Sequence, residues 1–123
     1  MFVVVLLVNE KGEFLIGRRR DNRKWTTPAG HLNEGESKED GARRETLEES
    51  NILITQKLEH LHSDENGVHL FTASVDSNRV TASGHRDPDK EVIDWRWVRR
   101  IPSKWVLHVP RSINILYTSK QVF

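Results

Sequence analysis

The sequence predicts an α/β fold in a single domain that spans residues 1–123. A Val- and Leu-rich run without alternation, Phe2–Val8, is typical of a strand buried on both faces. A charged segment near residues 38–50 has the capping residues of a helix. Two apolar stretches between residues 52 and 75 flank an Asn-Gly turn, which predicts a β-hairpin.

The other elements follow in chain order. A tight turn is expected at Asn9-Glu10-Lys11-Gly12, because Gly12 tolerates a positive φ. The predicted elements beyond the first strand are strands at 13–19, 52–61, 68–75, 79–84 and 91–98, and helices at 38–50 and 112–119.

The predicted helix has start and stop signals at both ends. Ser37 is a good N-cap, with Asp40 three residues further on, as in a capping box. Gly41 inside the helix costs about 1 kcal/mol relative to Ala, which suggests close packing against a strand. Ala42 and Thr46 are expected to face the sheet.

Composition excludes several classes of protein. A charged fraction of 30% with a net charge of only +1 argues against bulk nucleic-acid binding. The chain has no cysteine, which excludes disulfides and cysteine-ligated zinc and fits a reducing cytoplasm. The apolar start is too short to span a bilayer and lacks the features of a signal peptide, so we expect no membrane association and a cytoplasmic location.

Three carboxylates lie on one face of the predicted helix. Glu45, Glu48 and Glu49 are spaced i, i+3 and i+4. Like charges at this spacing destabilise a helix, and the C-terminal end of a helix also disfavours anions. One interpretation is a solvated acidic face. The other is a site for a divalent cation such as Mg²⁺, which takes carboxylate oxygens.

The pattern around these carboxylates favours the metal site. From Gly30, five residues lead to Glu36 and seven more lead to Arg44-Glu45. Glu48, Glu49, Asn51 and Ile52 complete the pattern. The stretch resembles the signature box of the Nudix hydrolases, G-x5-E-x7-R-E-U-x-E-E-x-G-U, where U is a bulky apolar residue. The five charged positions are all met: Glu36, Arg44, Glu45, Glu48 and Glu49.

Two positions depart from the box. Asn51 replaces a Gly that ends the helix, and Asn is the next-best residue for the left-handed conformation needed there. Thr46 occupies an apolar position, where its methyl group can still pack. Neither change removes a carboxylate.

The resemblance implies a Nudix-type α/β/α sandwich with a mixed β-sheet. It implies Mg²⁺ or Mn²⁺ as the cofactor and Glu45, Glu48 and Glu49 as metal ligands. The backbone carbonyl of Ala29, or that of Gly30, is expected near the metal.

The resemblance also assigns further roles. Glu36 and Arg44 are expected to pair across the junction of loop and helix, and Arg44 is also a candidate for stabilising leaving-group charge. Glu48 is a candidate for the base that activates water, with Glu49 or Glu91 as alternatives. Glu91 could complete the metal site, and Asp89 is its substitute.

Basic residues precede the box. The cluster consists of Arg18, Arg19, Arg20, Arg23 and Lys24. Because Arg side chains match phosphate bidentately, one or two of these arginines are expected to bind substrate phosphates, and Arg18, Arg20 and Arg23 are the candidates. A solvated loop is the alternative for this cluster. His31 is a weaker candidate for a substrate contact, and Trp25 is expected in the core or in a pocket wall.

Three histidines lie around the second hairpin. His60, His62 and His69 lack the spacing of a strong zinc motif, so edge-strand or pocket-wall positions are favoured over metal binding.

The function that follows is hydrolysis of a pyrophosphate bond in a nucleoside diphosphate linked to another group. The partner is then a small nucleotide such as an oxidised nucleoside triphosphate, ADP-ribose or a nucleotide sugar. The alternative is a Nudix-like module that binds a nucleotide without cleaving it, and nucleic-acid binding by the basic cluster is weaker still. Apolar residues at both ends, Phe2 and Phe123, could support a homodimer.

Overall fold

A computed structural model describes residues 1–21, 23, 25–76 and 92–99. In this part of the chain a mixed sheet packs against a helix, α1 (Lys38–Ser50). The strands are β1 (Phe2–Val8), β2 (Phe14–Arg19), β3 (Trp25–Thr26), β4 (Ala29–His31), β5 (Glu59–Ser63), β6 (Val68–Ser74) and β7 (Val92–Val98). These elements confirm the predicted α/β class. The predicted strand 79–84 and helix 112–119 lie outside the described residues.

Strand β1 lies at the centre of the sheet. The strand order is β3-β2-β1-β6-β5, with β4 also paired to β1 and β7 paired to β2. Along its whole length β1 is parallel to β6, from Phe2 opposite Val68 to Val8 opposite Ser74. Its interior residues are buried on both faces, which explains why the sequence shows no alternation there.

Apolar residues pack on both faces of β1. Val3, Val5 and Leu7 join a cluster that includes Ala42 of α1. Val4 and Leu6 join a second cluster on the opposite face. The alternation of side chains along a strand therefore divides the core into one part beneath the helix and one part on the other side of the sheet.

Both predicted caps of α1 are present. The Ser37 hydroxyl accepts a hydrogen bond from the Asp40 amide at 3.1 Å. At the other end Asn51 has φ 60°, and its N–H donates to the Leu47 carbonyl at 3.0 Å. The helix therefore ends at Asn51, as a left-handed cap requires.

The expected neighbour of Gly41 is corrected by the structure. A Cβ added at Gly41 would lie 2.0 Å from Leu32 Cδ2 and 3.2 Å from Glu36 Oε1. The first turn of α1 lies over the loop that leads into the helix, so this loop, rather than a strand, excludes a larger side chain.

The predicted strand 52–61 is also wrong in its extent. Residues 52–58 contain no strand, and β5 begins only at Glu59. The Arg43 guanidinium donates to the carbonyls of Ile54 and Gln56, so these backbone groups bond to a side chain instead of a strand. The turn that follows β5 is as predicted, with Gly67 at φ 78°.

Candidate active site

The loop at residues 27–32 is fixed along the edge of β1. The Val5 amide donates to the Pro28 carbonyl at 2.8 Å, and the Leu32 amide donates to the Met1 carbonyl at 3.0 Å. Strand β4 pairs with β1 between these two contacts. The backbone at Ala29 and Gly30 therefore lies at a defined place beside α1.

Gly30 makes direct contact with the acidic face of the helix. A Cβ added at Gly30 would lie 2.3 Å from Glu45 Cδ and 2.3 Å from Glu45 Oε2. No side chain fits between the loop and this carboxylate without moving it. This close approach gives a physical reason for the first Gly of the motif.

Arg44 lies at the centre of the charged network. Its Nε donates to Glu36 Oε2 at 2.8 Å and its Nη2 donates to Glu36 Oε1 at 2.9 Å. Its Nη1 donates to Glu45 Oε1 at 2.8 Å and to Glu48 Oε2 at 3.3 Å. Nη2 also reaches the His31 carbonyl at 3.0 Å, which ties the loop to the helix.

This pairing stabilises the charged forms of both partners. The Arg44 hydrogen bonds hold the pKa of the Glu36 carboxyl below its ordinary value of 4.5, with help from the Asn33 amide. The same bond to Glu36 is the largest cause that raises the pKa of Arg44 above its ordinary value. The network therefore contains a permanent cation among carboxylates.

The three carboxylates of the helix face differ in their surroundings. Glu49 is buried, and its Oε1 accepts a hydrogen bond from the Ala29 amide at 2.8 Å. Glu45 is largely covered, whereas the Glu48 side chain is 44% exposed. Glu48 is thus the member of the set that solvent reaches most easily.

A pocket of about 260 Å³ opens beside this cluster. At one wall the rings of Phe2 and His31 meet edge to face, with centroids 5.0 Å apart. The lining residues are Phe2, Arg19, Thr26, Thr27, Ala29, Gly30, His31 and Glu49. The pocket therefore joins a carboxylate, a guanidinium and an aromatic wall.

The arginine that lines the pocket is Arg19, a member of the predicted basic cluster but not one of the three candidates chosen from it. Arg19 forms a bidentate pair with Asp21, at 3.1 and 3.0 Å. Arg18 points to the other face of β2 and stacks on Trp25 with its Cζ 4.9 Å from the ring centroid. Alternation along β2 separates Arg18 from Arg19 but does not indicate which of the two faces the pocket.

The other predicted substrate contacts are distributed unevenly. His31 lines the pocket. Arg20 and Arg23 are exposed and do not line it. Trp25 is buried, as expected for a core residue. Glu91 and Asp89 lie outside the described residues.

The carboxylates suit a divalent cation in chemistry but do not converge as they are placed. Within the described residues no group of three or more His, Asp or Glu side chains is arranged to hold a metal ion. Arg44 spans Glu45 and Glu48, and the Ala29 amide holds Glu49. Carboxylate oxygens are the donors that Mg²⁺ and Mn²⁺ take, and the Arg44 guanidinium already bonds to two of these carboxylates.

The histidines of the second hairpin form a separate cluster. His60 Nε2 lies 2.7 Å from the Ser63 hydroxyl, and Ser63 Oγ lies 2.6 Å from His69 Nδ1. The His60 ring also packs on Phe71, with centroids 5.0 Å apart. His60 and His62 lie on β5, at the edge of the described strand order as expected, whereas His69 lies on β6, which pairs with both β1 and β5.

Comparison with known proteins identifies the family. The family model described as the NUDIX domain matches residues 2–101. A protein of Bacillus subtilis (strain 168), assigned as an 8-oxo-dGTP diphosphatase, is 34% identical over 121 residues, which is 92% of this chain and 75% of the relative. The chain belongs to the Nudix family. It is a Nudix hydrolase that acts on phosphorus-containing anhydrides.

Solved structures show the same fold. The NUDIX domain of Shewanella oneidensis NrtR, complexed with ADP ribose, has a TM-score of 0.72 and 19% identity, over 95% of this chain and 85% of that chain. The MutT protein of Methanosarcina mazei Go1 has a TM-score of 0.58 and 29% identity, over 79% and 74%. Among the described residues, no helix is long and apolar enough to cross a membrane.

Proposed function

We propose that this Nudix hydrolase uses Mg²⁺ or Mn²⁺ to cleave the pyrophosphate bond of a nucleoside triphosphate, with an oxidised triphosphate such as 8-oxo-dGTP as the first substrate to test. The observation that carries the proposal is that Glu45 lies against Gly30 on the helix face that it shares with Glu48 and Glu49, while Glu49 and Arg19 both line the adjacent pocket. The relative assigned as an 8-oxo-dGTP diphosphatase supports the choice of substrate. The lack of cysteine supports the cytoplasm as its compartment.

The proposal gives each carboxylate a role. Glu45, Glu48 and Glu49 are the metal ligands, with the Ala29 carbonyl as a further donor. The predicted fourth carboxylate, Glu91, remains part of the proposal as a ligand or base. When bound, the metal supplies a Lewis acid that neutralises phosphate charge and makes a coordinated water more acidic.

The remaining steps belong to side chains of this chain. Glu48 is the most exposed of the three carboxylates, and the proposal assigns it the role of taking a proton from the attacking water. The water oxygen bonds to phosphorus as the P–O–P bond breaks, and the oxygen on the other phosphorus leaves with the bonding electron pair. Arg19 lines the pocket as a cation that can bind the phosphates and stabilise this charge.

Arg44 contributes by holding the site in shape. Its bonds to Glu36 and to the His31 carbonyl keep the loop against the helix. To hold a metal ion, Glu45 and Glu48 would have to release the Nη1 of Arg44. The bonds of Arg44 to Glu36 would still tie the loop to the helix.

The experiment is hydrolysis of a nucleotide panel with Mg²⁺ and with Mn²⁺, with products separated by chromatography. The panel contains the dNTPs, 8-oxo-dGTP, ADP-ribose, nucleotide sugars, NADH and Ap4A. Release of nucleoside monophosphate and pyrophosphate from 8-oxo-dGTP, in preference to dGTP, supports the proposal. Metal-dependent hydrolysis of a different class of nucleotide would refute the proposed substrate but support the proposed reaction.

A matched pair of variants separates the site from general effects of charge. Glu48→Gln removes a proposed ligand, whereas Glu39→Gln removes an exposed carboxylate from the first turn of the same helix. Loss of turnover in the first variant alone is the expected result. Tight nucleotide binding without turnover in the unmodified protein would instead identify a binding module.

A further inference from the structure

The last turn of α1 is bonded to a residue far along the chain. The last carbonyls of a helix have no partner within the helix. At this end the Leu47 carbonyl is taken by Asn51, and the Glu49 carbonyl accepts a hydrogen bond from the Trp95 indole at 2.8 Å. A side chain of β7 therefore holds the backbone of a residue whose carboxylate lines the pocket.

Glu49 is thus held at both ends. Its carbonyl is bound by Trp95 Nε1, and its carboxylate is bound by the Ala29 amide at 2.8 Å. The side chain is buried, so little room exists for it to take another path. A displacement of the last turn of α1 would therefore also displace the Glu49 carboxylate.

Strand register explains why Trp95 reaches the helix. Trp95 lies opposite Gly17 on β2, a residue that presents no side chain of its own. The Trp95 ring packs against the apolar cluster beneath α1. Arg19, which lines the pocket, is two residues beyond Gly17 on the same strand.

We propose that Trp95 is a positioning residue for the reaction, because its indole N–H fixes the last turn of α1 where the Glu49 carboxylate meets the Ala29 amide. This inference rests on the proposed function, in which Glu49 is a metal ligand. Trp95 touches neither the pocket nor the reacting atoms in this assignment. It acts only through the backbone of Glu49.

Trp97 provides a matched control. It lies on the same strand, two residues further on and opposite Leu15, and it packs against the same apolar cluster. Trp95→Phe and Trp97→Phe therefore remove similar amounts of aromatic surface. Trp95→Phe alone deletes the donor to the Glu49 carbonyl.

The test is amide hydrogen exchange at Ala29, measured by NMR on the metal-free and substrate-free protein. The Ala29 amide reports directly on its bond to Glu49. The Val5 amide, which is bonded to Pro28 in the same loop, is the reference for general loosening. Glu49→Ala defines the exchange rate of an Ala29 amide without its acceptor.

Trp95→Phe is expected to speed exchange at Ala29 relative to Val5 by about fivefold, and Trp97→Phe is expected to leave this ratio unchanged. An unchanged ratio in Trp95→Phe, or an equal rise in both variants, overturns the proposal. This readout needs no turnover, so it stands apart from failure of the proposed function.

Kinetics provide the second measurement. If the wild-type protein hydrolyses a nucleotide, Trp95→Phe should lower kcat by about tenfold and change KM little, because Glu49 is displaced rather than lost. Trp97→Phe should not show this split between kcat and KM. Equal kcat in Trp95→Phe and wild-type protein would refute the positioning role even if exchange at Ala29 had changed.

Discussion

The acidic face of α1 and the second hairpin each carry three side chains of a type that binds metals. The two groups differ in the residues that they bond to. Glu49 lines a pocket, and the Arg44 guanidinium donates to Glu45 and Glu48. His60 and His69 bond to the same Ser63 hydroxyl, 2.7 and 2.6 Å away. The carboxylates bond to a cationic side chain, whereas the histidines bond to a neutral hydroxyl, and the buried Nε2 atoms of His62 and His69 have no hydrogen-bond partner among the described residues.

The neighbouring charges explain this difference. Burial lowers the pKa of His69, and Lys38, His60 and the N-terminal amine lower it further, against an opposing effect of Asp64. Protonation of His69 is therefore disfavoured. At the helix face the carboxylates already hold a positive side chain in place. Residue types alone do not reveal a metal site, because the surrounding charge determines whether a cation is favoured.

The largest expected effect comes from the carboxylates. Glu48→Gln and Glu49→Gln should fold but lose kcat by about 100-fold or more, because each removes a proposed ligand charge from the site. Steady-state hydrolysis with Mg²⁺ and Mn²⁺ measures this effect, with thermal unfolding as the check on folding. His60→Gln, which alters the other cluster, should retain wild-type kcat. Unchanged turnover in both Glu variants would refute the site.

The second prediction concerns the glycine that contacts Glu45. Gly30→Ala should lower kcat by about tenfold with a small loss of stability, because its Cβ displaces the flexible end of Glu45. Gly41→Ala is the comparison, since its Cβ displaces Leu32 and lies 3.2 Å from Glu36 Oε1, away from the three carboxylates of the helix face.

In Gly41→Ala the helix gains about 1 kcal/mol of propensity, which offsets the crowding at Leu32. We therefore expect its stability to lie within about 1 kcal/mol of the wild-type value. Steady-state kinetics and urea unfolding of both variants measure these changes in kcat and in stability. A larger loss of kcat in Gly41→Ala than in Gly30→Ala would contradict the proposed role of Glu45.

Much of the helix and its charged face could be predicted from sequence, because the signals are local. Ser37 and Asn51 cap the helix where their residue types predict, and the spacing of Glu45 and Glu48 places them on one face. The strand register beyond the box is not local. Trp95 reaches Glu49 across 46 positions, and no pattern within β7 indicates that contact.

The incorrect predictions also arise where tertiary contacts override local sequence patterns. Residues 52–58 are apolar enough for a strand, but Arg43 of the helix takes two of their carbonyls. The choice among the arginines could have been improved, because alternation along β2 places Arg18 and Arg19 on opposite faces. Which face opens into the pocket depends on the loop that packs along β1, and this is a tertiary contact.

The third prediction tests the pair that joins loop and helix. Glu36→Gln should lower the free energy of unfolding at neutral pH by about 1–2 kcal/mol, because it weakens charge-assisted bonds to Arg44. The pKa of Glu36 is lower in the folded protein, so its contribution is complete above 4.5 and is lost as pH falls through the folded value.

Urea unfolding from pH 7 to pH 3 measures this dependence. Below 4.5 the wild-type protein should lose stability more steeply than Glu36→Gln, and the exposed Glu34→Gln should follow the wild-type curve. Parallel curves for the wild-type protein and Glu36→Gln would show that the bonds to Arg44 do not depend on the charge of Glu36.

The smallest effect is expected at the hairpin. Because burial lowers the pKa of His69, its neutral form is favoured in the folded state. The stability linked to it is therefore complete above the ordinary value of 6.5 and declines as pH falls from there towards the folded pKa. NMR titration of the His69 ring should give a midpoint below 6.5, and unfolding of His69→Gln should depend less on pH across this range.

Since His69 does not line the pocket, the pH profile of kcat should be the same in His69→Gln and in the wild-type protein. A midpoint at or above 6.5 would mean that the hairpin tolerates a positive charge, and the contrast with the carboxylate face would then fail.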